Sequence, residues 1–170
     1  MKSFLLFFIV TFITSTGLYA QDMMPPPPVD NSIYDAFVGD WEGEHEMMGM
    51  MMIDNMKCYW DLNHQFLFME YKSETKESRE KYSALGIYGV DNDGNAVLWW
   101  FDDWGTVSVM QGSGTFGENK LSTFGKTDNY TDERTYNFKD GNVVMNWKGT
   151  FKSPDGKDMV MEGTTVFNKK

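Results

Sequence analysis

Three stretches punctuate the second half of the chain with glycine after aspartate: Asp91-Asn92-Asp93-Gly94, Lys139-Asp140-Gly141-Asn142 and Ser153-Pro154-Asp155-Gly156. Each lies between runs rich in β-branched and aromatic residues. Asp-Gly pairs suit the tight turns that join antiparallel strands, because glycine takes positive φ without steric cost. With those turns fixed, the remaining β-rich runs fall at 56–62, 64–75, 81–90, 95–104, 106–115, 120–126, 133–139, 143–152 and 157–168, after an opening strand over 37–52. Roughly ten strands at roughly 8 to 12 residue spacing predict an all-β barrel or sandwich. No block repeats at a fixed longer period, so a propeller or solenoid is not expected.

The N-terminal segments read differently. Residues 1–20 carry one early lysine, an apolar stretch and a small-residue end at Ala20, the pattern of a secretory signal peptide cleaved after Ala20. The expected location is secreted or periplasmic, with no membrane attachment after cleavage. Residues 21–30 include Pro25-Pro26-Pro27-Pro28, which lack backbone donors and favour extended geometry, so they read as a disordered tether. Asp30-Asn31-Ser32 can then cap a short helix over 33–38, and residues 31–170 form the single barrel domain. The net charge of −10 opposes nucleic acid or anionic lipid as a partner. The one cysteine, Cys58, has no intramolecular disulfide partner, and its neighbours Tyr59 and Trp60 favour burial.

Along the opening strand, alternation places Trp41, Gly43, His45, Met47, Gly49 and Met51 on one face. Glu42, Glu44, Glu46, Met48, Met50 and Met52 take the other. With Trp41 inward, the inner face is soft and polarizable and suits an apolar ligand. The same stretch holds one histidine and five methionines between His45 and Met52, ligand types suited to Cu(I) or Ag(I). Of these, His45, Met47 and Met51 would converge from one side. In the run Val97 to Trp104, Trp99 and Phe101 oppose Leu98 and Trp100, so one aromatic set fills the interior.

Gly39-Asp40-Trp41-Glu42-Gly43, Gly86-Ile87-Tyr88-Gly89-Val90-Asp91, Trp100-Phe101-Asp102 and Gly112-Ser113-Gly114 occur in that order. In order and spacing they resemble an uncharacterised bacterial calycin-like family, domain of unknown function 1579. The likeness spans about Ile33 to Phe167. It departs at Val90, where the family often has tyrosine, and at the end of the last strand, which lacks the usual arginine. The resemblance implies a single antiparallel lipocalin-like barrel of about ten strands with a short N-terminal helix, closed at its bottom by a buried indole, with no established activity. The Gly-x-Trp opening is also similar to that of the nitrobindins, whose axial haem histidine lies near the C-terminus. Both histidines here, His45 and His64, lie in the first half, so haem is not expected by that route.

The preferred reading is an exported binding barrel for a small apolar or amphipathic molecule, with Trp41, His45, Met47, Tyr88 and Trp100 lining its cavity. An enzyme of isomerase or hydrolase type is a second reading. It would need His45 or His64 beside Glu70 or Asp102. Soft-metal binding on the Met-rich strand is a third. No nucleophile elbow, phosphate loop or Cys-x-x-Cys pair occurs, and the 91–102 stretch lacks the closing glutamate of a calcium loop. No cofactor is assigned.

Overall fold

The computed structural model describes residues 25–76, 81–153 and 155–170. The expected signal peptide and residues 21–24 of the expected tether lie outside the described residues. From Pro25 onward the proline-rich segment lies along the turn that follows Asp61. There Val29 N donates to His64 O at 2.9 Å and Gln65 Nε2 donates to Pro27 O at 2.8 Å.

Asn31 starts helix α1 (Ser32–Phe37), its Oδ1 accepting from the backbone of Ile33 at 3.1 Å and Tyr34 at 2.9 Å. Such a side chain supplies the acceptor that the first helical turn lacks. Ten strands follow. They are β1 (Gly39–Met47), β2 (Met50–Asp61), β3 (Phe66–Thr75), β4 (Lys81–Val90), β5 (Ala96–Asp102), β6 (Met110–Gly117), β7 (Lys120–Lys126), β8 (Tyr130–Lys139), β9 (Asn142–Lys152) and β10 (Asp158–Lys169). Each pairs antiparallel with its sequence neighbours, and β10 returns to pair with β1, closing the barrel. Closure leaves no free sheet edge among the described strands.

The expected opening strand over 37–52 is in fact two strands. Met48 (φ 54) and Gly49 (φ 82) form a two-residue turn with both central residues at positive φ, the conformation of primed hairpin turns. The reversal sets His45 opposite Met52 and Glu46 opposite Met51. Met51 therefore leaves the inner face and Met52 takes its place, buried. A second difference concerns the start of the expected 106–115 strand. A single 3₁₀ turn at Gly105–Val107 occupies it, and pairing begins at Met110.

The Asp–Gly turns do close hairpins. Gly94, Gly141 and Gly156 sit at φ +81°, +80° and +78°. Asp91 Oδ1 accepts from the backbone of Asp93 and Asn95, at 2.9 and 2.8 Å, which holds its carboxyl below the usual carboxylate range.

Helix α1 plugs one end of the barrel. Tyr34 and Phe37 are fully buried; Tyr34 Oη donates to Gly89 O at 2.9 Å, and Trp41 Nε1 donates to Phe37 O at 2.7 Å. Trp41 is 3% exposed, the inward indole that its position in the opening motif implied. Leu98 and Trp100 face inward while Phe101 is exposed on the outer wall, and Cys58 is buried. The glutamates of β1 lie outside, where Glu42 pairs with Lys170 and Glu44 with Lys76, each at 2.8 Å.

Candidate functional site

At the end of the barrel opposite α1 the interior is hollow. One lobe, of about 230 Å³, is lined by His45, Met47, Met52, Tyr71, Ser73, Tyr82, Trp104, Tyr130, Asp132, Arg134, Met145 and Trp147. A second lobe of the same size lies against Trp100, Asp102, Val107, Ser108 and Met110. The two share Trp104, Tyr130 and Arg134. Trp104 and Val107, on the connection between β5 and β6, are 62% and 82% exposed and stand at the mouth.

Beneath the first lobe lies a buried polar cluster centred on Asp54. Ser73 Oγ donates to its Oδ1 at 2.7 Å and Thr165 Oγ1 to its Oδ2 at 3.2 Å. His45 Nδ1 approaches the same Oδ2 to 2.8 Å, off the line of an ideal N–H bond. Asp54 is 0% exposed, so these contacts replace the water that a carboxylate would otherwise hold. Burial pushes the Tyr71 phenol well above its usual range, and the Asp54 charge adds to the shift.

A second cluster stands on β8. Arg134 grips Asp132 with two nitrogens, Nε to Oδ2 at 2.8 Å and Nη2 to Oδ1 at 3.2 Å, the fork geometry of strong guanidinium–carboxylate pairs. Burial, the largest single influence, works against the Arg134 charge, but Asp132 together with Tyr136 and Tyr88 outweighs it, and the guanidinium stays protonated beyond its usual range. Its carbon lies 4.2 Å from the centre of the Trp100 ring, a cation–π contact. Tyr130 Oη donates to Asp132 Oδ1 at 2.9 Å. Tyr82 Oη accepts from Trp100 Nε1 at 2.9 Å and donates to Asp102 Oδ2 at 3.1 Å, while Ser108 Oγ also donates to Asp102. Burial raises both phenols, Tyr82 and Tyr130.

Of the five residues expected to line a cavity, His45 and Met47 face the first lobe and Trp100 the second. Trp41 and Tyr88 lie deeper, in the packed half near α1. Tyr88 sits edge-on to Tyr34 there, with ring centres 6.2 Å apart. The carboxylates expected beside a histidine stand elsewhere. Glu70 is on the outer wall, accepting from Tyr59, and Asp102 is held by Tyr82 and Ser108. His64 stacks on Trp60 at 4.0 Å at the closed end, far from the cavity. Asp54, Asp132 and Arg134 escaped the sequence reading. Alternation along β8 from Tyr136, which is inward, would have placed both of the latter on the inner face. Among the described residues no group of three or more His, Cys, Asp or Glu side chains is arranged to hold a metal.

Fold and site together define a closed ten-stranded antiparallel barrel with a methionine- and aromatic-lined cavity at one end. Compared with protein-family models the chain matches none, and no curated protein matches it.

Proposed function

We propose that this chain is an exported, lipocalin-related binding barrel that carries a small apolar or amphipathic molecule in the mouth-side cavity. The observation that carries the reading is the lining itself. Met47, Met52, Met145, Trp147 and Trp104 supply apolar surface, while Asp132, Arg134, Tyr82 and Tyr130 among them are already paired. Ligand sites commonly combine apolar walls with a few fixed polar groups.

Charge pairing narrows the guest. Arg134 is matched by Asp132, so an acid entering the cavity would compete with a two-pronged pair instead of meeting a free cation. The guest is therefore neutral or only partly polar. Each lobe is smaller than the roughly 300–1,000 Å³ common for drug-sized ligands, which favours a compact molecule. The positions of Glu70, Asp102 and His64 give no support to a His–carboxylate enzyme built from them. Native mass spectrometry of protein purified without denaturation tests the reading. A discrete small-molecule adduct is expected, lost on denaturation; a bare polypeptide mass under native conditions would count against it.

A further inference from the structure

We propose that the wall of the cavity around His45 is a site for a soft monovalent cation, Cu(I) or Ag(I). Its ligands are His45 Nε2 and the thioether sulfurs of Met47, Met52 and Met145. The proposal goes beyond the carrier reading and does not rest on it.

The histidine supplies the first observation. His45 is 8% exposed, yet it lines the cavity. Its Nδ1 lies 2.8 Å from Asp54 Oδ2 but off the line of a hydrogen bond, so this buried ring nitrogen has no hydrogen-bond partner among the described residues, and Nε2 stands on the opposite edge of the ring. A buried imidazole that no hydrogen bond satisfies, set beside a carboxylate, is available for metal ligation, and nearby carboxylates commonly support histidine ligands. Asp54 is itself fixed by Ser73 and Thr165.

Register supplies the second. His45 on β1 stands directly opposite Met52 on β2. On its other side the β1–β10 pairing runs Gly43 to Phe167 and Glu44 to Val166, so the next step sets His45 beside Thr165. Thr165 in turn opposes Met145 on β9. Met52, His45, Thr165 and Met145 thus form one inward row across four strands, and Met47 lies one inward step above it toward the mouth. All three methionines line the same lobe as His45.

The chemistry selects the cation. Thioether sulfur is neutral and polarizable and prefers soft ions, whereas Ca²⁺, Mg²⁺ and Mn²⁺ seek oxygen. The oxygens within the lobe are already engaged, Asp54 by Ser73 and Thr165 and Asp132 by Arg134 and Tyr130. Trp147 packs edge-on against His45, ring centres 6.0 Å apart, and shields that side from water. A single positive charge is balanced by Asp54 behind the ring.

The test titrates Cu(I), held anaerobically against a colorimetric chelator, into the purified protein, with Ag(I) and Zn(II) as competitors. Three proteins are compared: wild type, the Met52→Leu/Met145→Leu variant, and Met48→Leu/Met51→Leu as an equally methionine-poor control. Leucine keeps the core volume, and circular dichroism checks that each protein folds. Loss of an outer-shell partner alone costs about 10–100-fold in metal affinity, so removing two ligands is expected to cost at least about tenfold. Wild type and the control should bind one equivalent equally, displaced by Ag(I) and not by Zn(II). Equal affinity in the inner variant, an equal loss in the control, or displacement by Zn(II) would overturn the proposal. An organic adduct found or missing by mass spectrometry bears on the carrier reading alone, so the two can fail separately.

Discussion

Asp54 shows how much of the site depends on one side chain. It is wholly buried, and its contacts come from Ser73, 19 residues away, and Thr165, 111 residues away, as well as from His45. Asp54→Ala leaves the buried Ser73 and Thr165 hydroxyls without their acceptor, and leaving buried donors unsatisfied costs about 1–3 kcal/mol. Urea denaturation should register a loss of that size, where an exposed acid such as Glu46 should give little. Cys58 makes a separate case. Burial first, and the Asp40 charge second, raise its thiol above the ordinary value, so the reactive thiolate is suppressed at neutral pH. Alkylating reagents should label it only after unfolding; fast labelling of native protein would contradict that packing. His45 and Met47 were legible as inward residues because alternation from Trp41 needs only local sequence. Asp54 was not, since its meaning lies in partners from strands distant in the chain.

At the scale of elements, the β1–β2 hairpin decides which methionines meet His45. Its turn carries no Asn-Gly or Asp-Gly signal, because Met48 occupies a position at φ 54 that asparagine or glycine usually fills. A methionine-rich run therefore reads as one unbroken strand, and the parity of every residue after the turn is assigned to the wrong face. The later hairpins were readable because Asp140-Gly141 and its counterparts supply the residues that such turns favour. Met48→Asn should relieve the local strain without touching the cavity. A gain of a few tenths to about 1 kcal/mol is expected, read as a higher Tm with unchanged ligand or metal binding. A fall in Tm would mean that the exposed Met48 side chain contributes packing not visible in this turn.

For the molecule as a whole, ten strands could be counted from turn spacing, but the pairing of β10 with β1 could not, because nothing local specifies which ends meet. Closure and the α1 plug divide the interior into a packed half and a hollow half. Tyrosines serve both. Tyr34 and Tyr88 in the packed half, and Tyr71, Tyr82 and Tyr130 around the cavity, all have phenols raised above the ordinary value of 10.0, with burial as the largest cause. A raised folded value means that the fold retains these protons when the unfolded chain would lose them. Their contribution is thus complete below about pH 10 and declines as the pH climbs further. Tyrosinate absorbance should rise together with loss of β-structure in an alkaline titration; ionisation well before unfolding would deny the burial.

The most direct test of the hollow half is titration of an apolar, environment-sensitive dye into wild type and into Met145→Trp, which fills the first lobe. Saturable one-to-one binding in wild type, lost in a folded Met145→Trp protein, is the predicted result. Binding that is absent from wild type, or unchanged when the lobe is filled, would contradict a guest-holding cavity.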